Sequence, residues 1–138
     1  MRALVLAFAL ALGGCAEKTG AITPERQQRL DAEGIVRRAD DQTFRYTHGS
    51  GTRDAGWEER AASIIVTKQS VIIHKNEKLG LEITPRTRRF VEVRRDGNRV
   101  RISAGGGQSS ESWSFAPPDD APGWADDIRA VVKPGKGE

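Results

Sequence analysis

Between Ile35 and Ala116 apolar and polar residues alternate in short runs, each ended by glycine, proline or small polar residues. A period of two sends successive side chains to opposite faces of an extended strand, so such runs build sheets with one face in a core. Ile35-Val36 reads as a short strand, and Thr43 to His48 as a second with Phe44 and Tyr46 inward. His48 to Gly56 is a glycine-containing loop, and Trp57 to Thr67 a long strand ending in Ile64-Ile65-Val66. Lys68-Gln69-Ser70 turns the chain into Val71–His74, and Leu79, Leu81 and Ile83 share one face of the next strand, closed by Pro85. Phe90 to Arg94 and Arg99 to Ser103 form the clearest hairpin, joined through Arg95-Asp96-Gly97-Asn98, where Asp-Gly supplies left-handed backbone. After a glycine-rich turn at 105–110, Glu111 to Phe115 is the last strand, with Trp113 and Phe115 inward.

Two helices flank these strands. Thr23-Pro24-Glu25 is a helix start, with threonine as N-cap, proline in the first turn and an acid beside it, and Gly34 is the stop. Leu30 is its main apolar residue, which suits a spacer as well as a core element. Pro117 to Asp120 break the sheet pattern and cap a second helix, in which Trp124, Ile128 and Val131 lie at i, i+4 and i+7 on one apolar face.

Ahead of this domain, Arg2 precedes the unbroken apolar run Ala3–Leu12, which fits a signal h-region of about 7–15 residues. It is short of the roughly 20 residues a spanning helix needs. The run ends in Leu12-Gly13-Gly14-Cys15 and then turns polar. This segment resembles the signal peptide and lipobox of bacterial lipoproteins, with Leu12 at −3, Gly14 at −1 and Cys15 at the modified position. The same residues also suit an ordinary secretory signal or a short uncleaved anchor. The resemblance implies cleavage between Gly14 and Cys15, a diacylglyceryl thioether on Cys15 and an acyl chain such as palmitate on its amine. One acyl chain binds membranes only marginally, whereas two or three hold permanently. Ala16 in place of Asp implies, by likeness to enterobacterial sorting, the outer membrane, with the domain facing the periplasm.

The expected organisation is a signal peptide at 1–14, a lipidated tether and short helix at 15–34, one β-rich domain at 35–134 and a tail at 135–138. Cys15 is the only cysteine, so no disulfide staples the domain and packing alone must hold it. The 22 Lys and Arg against 19 Asp and Glu leave a small basic excess, which is no nucleic-acid signature.

About seven strands in meander order followed by one amphipathic helix resemble the pleckstrin-homology-like fold. The residues that carry the likeness are Val93 to Ile102 for the central hairpin and Trp124-Ala125-Asp126-Asp127-Ile128-Arg129 for the helix. The resemblance implies a mainly β (α+β) fold, a strongly bent antiparallel sheet or small barrel whose C-terminal helix plugs one open end. Membrane-binding members hold phosphoinositide with basic residues around the first two strands, where Arg45, Arg53 and Arg60 stand here. Asp54, Glu58 and Glu59 depart from a basic ligand loop, so that ligand does not carry over.

Arg86, Arg88, Arg89, Arg94, Arg95, Arg99 and Arg101 crowd one stretch against Glu92 and Asp96. Guanidinium forks match phosphate and carboxylate geometry. The candidate binding set is Arg94, Arg95, Arg99 and Arg101, directed at phospholipid, lipopolysaccharide phosphate or peptidoglycan carboxylate. The alternative is a solvated hairpin face whose charges prevent edge pairing. Neither His48 nor His74 has metal-ligand neighbours at a familiar spacing, and His74 reads as a strand-end surface residue. No Gly-x-Ser-x-Gly elbow, phosphate loop or paired acids stand out, so no catalytic residue, metal or cofactor is assigned. The expected function is a non-catalytic binding or interaction module anchored in the envelope, its partner an envelope protein, anionic lipid or peptidoglycan. An assembly accessory of a larger envelope complex and a small envelope hydrolase are the alternatives.

Overall fold

The structure, a computed structural model, describes residues 20–49, 57–106 and 109–133. The signal segment with Gly14 and Cys15, most of the loop after His48, the turn at 107–108 and the tail from 134 lie outside the described residues.

Local chemistry sets the first helix, α1 (Pro24–Glu33). The Thr23 hydroxyl accepts from the Arg26 amide at 3.3 Å, and Gly34, at φ +85°, turns its own amide back to the carbonyls of Leu30 and Asp31. Seven strands follow: β1 (Ile35–Gly49), β2 (Glu58–Thr67), β3 (Val71–Lys75), β4 (Lys78–Ile83), β5 (Val91–Asp96), β6 (Arg99–Gly106) and β7 (Ser109–Phe115). A helix, α2 (Ala121–Val132), ends the described chain. The strands form one antiparallel sheet in the order β4-β3-β2-β1-β7-β6-β5, curled into a half-barrel. That is the bent sheet with a C-terminal helix that the pleckstrin-homology-like resemblance implied.

Several strand boundaries differ from the sequence reading, and the glycine-rich turn expected at 105–110 is mostly strand, with Gly105 opposite Ser110 and Gly106 opposite Ser109. The runs at 35–36 and 43–48 are one strand, β1, which bulges between Ala39 and Gln42 with Asp41 at φ +52°. A bulge interrupts the alternation without ending the pairing. Phe90 belongs to a short 3₁₀ turn (Arg88–Phe90), not to the β5 hairpin, and is half exposed.

The concave face holds the main core. Phe44, Ile64, Val66, Ile73, Ile102 and Phe115 are fully buried there, and Trp124, Ala125, Ile128 and Val131 of α2 close over them. Trp124 meets Phe115 edge-on at 5.5 Å. Asp120 caps α2 by accepting from the Gly123 amide, and Arg37 of β1 ties the helix down through Asp127 at 2.5 Å and Asp120 at 2.9 Å. Those two carboxylates raise the Arg37 pKa, and the Arg37 guanidinium in turn lowers that of Asp120.

The convex face carries a smaller core. Leu30 of α1 is fully buried against Ile65 and Ile72, with Ile22 beside it. Polar contacts extend the seat: Glu33 accepts from the Thr67 hydroxyl at 2.7 Å and from the Ser70 hydroxyl, and Arg29 reaches Glu82 at 3.2 Å. Where the sequence reading left α1 as a spacer, the structure seats it across β2, β3 and β4.

Candidate functional site

The register of four strands gathers arginines that are far apart in sequence. Arg45 on β1 lies opposite Ser114 on β7, Ser114 opposite Arg101 on β6, and Arg101 opposite Arg94 on β5. All four point away from the core, because each stands one residue from a core-facing position: Phe44, Phe115, Ile102 and Val93. The row Arg45–Ser114–Arg101–Arg94 therefore crosses the convex face on the side α1 leaves bare.

Arg99 adds to this row. Its Nε donates to the Ser114 hydroxyl at 3.1 Å and a terminal nitrogen donates to the Ser114 carbonyl at 3.0 Å. Burial, helped by the charge of Arg45, lowers its pKa. Arg45 in turn packs 5.0 Å from the ring of Trp57, which is 55% exposed. A depression of about 280 Å³ lies between Arg45, Trp57, Arg99, Arg101 and Asp96. Its floor holds an unspent donor: the Arg101 Nε is buried with no hydrogen-bond partner among the described residues. Clustered guanidinium groups with an uncommitted N–H, hydroxyls and a stacking ring suit a phosphate or carboxylate group.

Of the four arginines singled out in sequence, the structure brings Arg94, Arg99 and Arg101 together and sends Arg95 elsewhere. Arg95 lies opposite Val100, a core residue, so it points to the concave side of the hairpin tip, where it donates to the Gly97 carbonyl at 2.9 Å. Strand alternation forbids neighbours 94 and 95 from sharing a face. Arg45, Ser114 and Trp57 complete the site: the β1–β7 pairing, a contact of large sequence separation, sets Arg45 opposite Ser114, and Trp57 meets Arg45 where β1 pairs with β2. Arg94 pairs with Glu92 at 2.7 Å, both largely exposed.

His74 is not a surface residue. It is 1% exposed, on the convex side of β3, where Arg26 of α1 and Arg38 and Asp40 of β1 are the nearest charges that act on it. Burial lowers its pKa. Its Nδ1 faces the Asn76 carbonyl at 3.3 Å, and its Nε2 has no hydrogen-bond partner among the described residues. The sequence pattern missed this because the cover comes from α1. A second cavity, about 370 Å³, opens at the barrel mouth between Arg60, His74, Lys78, Leu79, Gly80 and Trp113. The Arg60 guanidinium lies 3.7 Å over the Tyr46 ring at this mouth. Because Nε2 is unpartnered and Nδ1 faces a backbone carbonyl, His74 is not part of an assembled nucleophile–base pair in the described geometry. Among the described residues no three His, Cys, Asp or Glu come together to hold a metal ion, and no helix is long and apolar enough to cross a membrane.

No protein-family model matches the chain, and no curated protein does. Solved structures do. The chain is similar to a structure described as Vav1 inhibited by an allosteric inhibitor, with a TM-score of 0.51 and 10% identity, covering 86% of this chain and 31% of that one. It is also similar to the C-terminal phosphotyrosine interaction domain of mouse APBB2 (TM-score 0.46, 16% identity, 90% of this chain and 100% of that one). A third likeness is to the PH domain of human pleckstrin homology domain-containing protein family A member 5 (TM-score 0.43, 9% identity, 75% and 82%). This chain spans less than a third of the Vav1 chain it matches, and identities this low speak to the fold alone.

Proposed function

We propose that this protein is a lipid-anchored, non-catalytic binding module of the bacterial cell envelope, held through Cys15 at the outer membrane and facing the periplasm. Its binding face is the cross-strand row Arg45–Ser114–Arg101–Arg94 with Arg99, and its ligand an anionic group of the envelope: a phosphate or a carboxylate. The observation that carries the reading is the row itself, three guanidinium groups from three strands on the uncovered convex face, with a buried donor unspent. The lipobox supports the address.

The soluble domain with Cys15→Ser tests the face. We expect binding to phosphatidylglycerol vesicles or to purified lipopolysaccharide that weakens steeply with salt and is lost in Arg45→Ser/Arg101→Ser. Binding unchanged by salt and by that double variant would overturn the assignment of this face. A second reading, an assembly accessory within a larger envelope complex, is favoured by one feature: half-exposed Phe90 beside an apolar cavity lined by Leu81, Val91 and Ala104. Capture of a specific envelope protein by the native lipoprotein, abolished by changing Phe90 and indifferent to the arginines, would select it.

A further inference from the structure

We propose that the ligand of the arginine row is a sugar ring bearing an acidic group, a carboxylate or a phosphate, and that a row of hydroxyls beside the arginines holds the ring. This deepens the proposed function and rests on its reading of that face as an anion site.

A second cross-strand row carries the inference. Thr47 on β1 lies opposite Ser112 on β7, Ser112 opposite Ser103 on β6, and Ser103 opposite Glu92 on β5. Each stands two residues along its strand from a member of the arginine row, so both rows share the convex face, roughly 7 Å apart. The Ser114 hydroxyl is already taken by the Arg99 Nε. Those of Thr47, Ser103 and Ser112, all half-buried, bond to no described residue. A hydroxyl both donates and accepts, so this row can exchange hydrogen bonds with a second set of hydroxyls.

The depression between Arg45, Arg99 and Arg101 also holds parts that a bare anion does not use. Thr47 and Ser112 line it, and so does Asp96. A carboxylate repels an anion but accepts from a ligand hydroxyl. Trp57 adds exposed aromatic surface beside Arg45. The C–H face of a sugar ring packs on such a surface, whereas a glycerol phosphate has no ring to offer. The volume of about 280 Å³ falls near the lower bound of small-molecule sites, about 300–1,000 Å³, which suits one ring and its acidic group. The guanidinium groups and the unspent Arg101 Nε–H fix the acid, and Thr47, Ser112, Asp96 and Trp57 fix the ring.

The site carries its own reporter. Trp113 and Trp124 are 3% and 2% exposed, so quenching by acrylamide, a neutral molecule, reads Trp57. The mature chain with Cys15→Ser is titrated with a galacturonate trimer, glucose 6-phosphate, glycerol 3-phosphate, a neutral N-acetylglucosamine trimer and phosphatidylglycerol vesicles. We expect one or both acidic sugars to shield Trp57 and to bind about tenfold tighter than glycerol 3-phosphate or the neutral trimer. Which of the two prevails tells a carboxylate from a phosphate. Thr47→Val/Ser112→Ala, two outward positions off the core, should weaken the acidic sugars roughly fivefold, and glycerol 3-phosphate much less. Glycerol 3-phosphate or the vesicles binding as tightly as the acidic sugars would overturn the sugar assignment and leave the anion face standing. Equal binding by the neutral trimer would remove the acidic group from the ligand, and binding of none of the charged probes would overturn the anion reading together with this one.

Discussion

The convex face of the sheet is one surface with two fates. Over β2 and β3 its outward residues include Ile65 and Ile72, and α1 covers them. Over β5, β6 and β7 the outward residues include Glu92, Arg94, Arg99, Arg101, Ser103, Ser112 and Ser114, and no described element covers them. The same alternation produces both halves, so the outward side chains decide whether a face is recruited into the core or left for solvent and ligands. A mostly polar helix of 10 residues is held on the first half by one leucine. Full burial of such a side chain contributes about 1.5–3 kcal/mol, enough to seat a helix whose other contacts are polar.

The sharpest way to break this comparison is to remove that leucine. Leu30→Ala should destabilise the soluble domain by about 2–5 kcal/mol in urea unfolding, the usual cost of truncating a fully buried leucine. An unchanged midpoint would return α1 to the role of a spacer. Next in size is Glu33→Ala, which strips the acceptor from the Thr67 and Ser70 hydroxyls. Hydrogen bonds to a charged group contribute about 1.5–3 kcal/mol, so a loss near the lower figure is expected at this partly exposed site. Glu33→Gln, which keeps one acceptor oxygen, should lose less.

Alternation is a local property, and the parts of the molecule that obey it were legible in sequence. Phe44, Trp113 and Phe115 point inward, the Val91–Ser103 hairpin forms, and Trp124, Ile128 and Val131 close the core. Thr23 and Gly34 bound α1 because capping, too, is local. What stayed hidden depends on pairings of large sequence separation. The β1–β7 register places Arg45 in line with Arg101, with Ser114 between them, and nothing near either residue announces it. Arg95 was grouped with Arg94 by proximity along the chain, which is the one relation a strand turns into opposition. His74 was read as exposed because its cover arrives from a helix some fifty residues earlier.

His74 offers a graded test of the covered half. Burial keeps its folded pKa below the ordinary value of 6.5, so the unfolded chain binds the proton first as the pH falls. Its contribution to stability is intact above about pH 6.5, declines as the pH drops from there toward the folded pKa, and levels off below it. Arg26 and Arg38 deepen the penalty for a charged ring, and Asp40 moderates it. Unfolding midpoints measured from pH 7.5 down to 5 should fall for the wild type and fall less steeply for His74→Gln. Equal slopes would assign the acid sensitivity to other groups.

The smallest effects belong to the bare half, and their smallness is the point. Glu92 and Arg94 are each 61% exposed at the side chain, and such surface pairs contribute about 0–1 kcal/mol. Arg94→Ser should shift stability by less than about 0.5 kcal/mol, as surface substitutions ordinarily do. Arg101→Ser removes a buried Nε that no described residue satisfies, so it should cost the fold little or slightly stabilise it, because the desolvation penalty leaves with the side chain. A face kept for folding would show the reverse, with Arg101 costly and anion binding untouched. If urea unfolding shows Arg101→Ser to be as damaging as Leu30→Ala, the two halves are not different in kind. The row would then be a structural device, and its open donor would have to be explained within the fold.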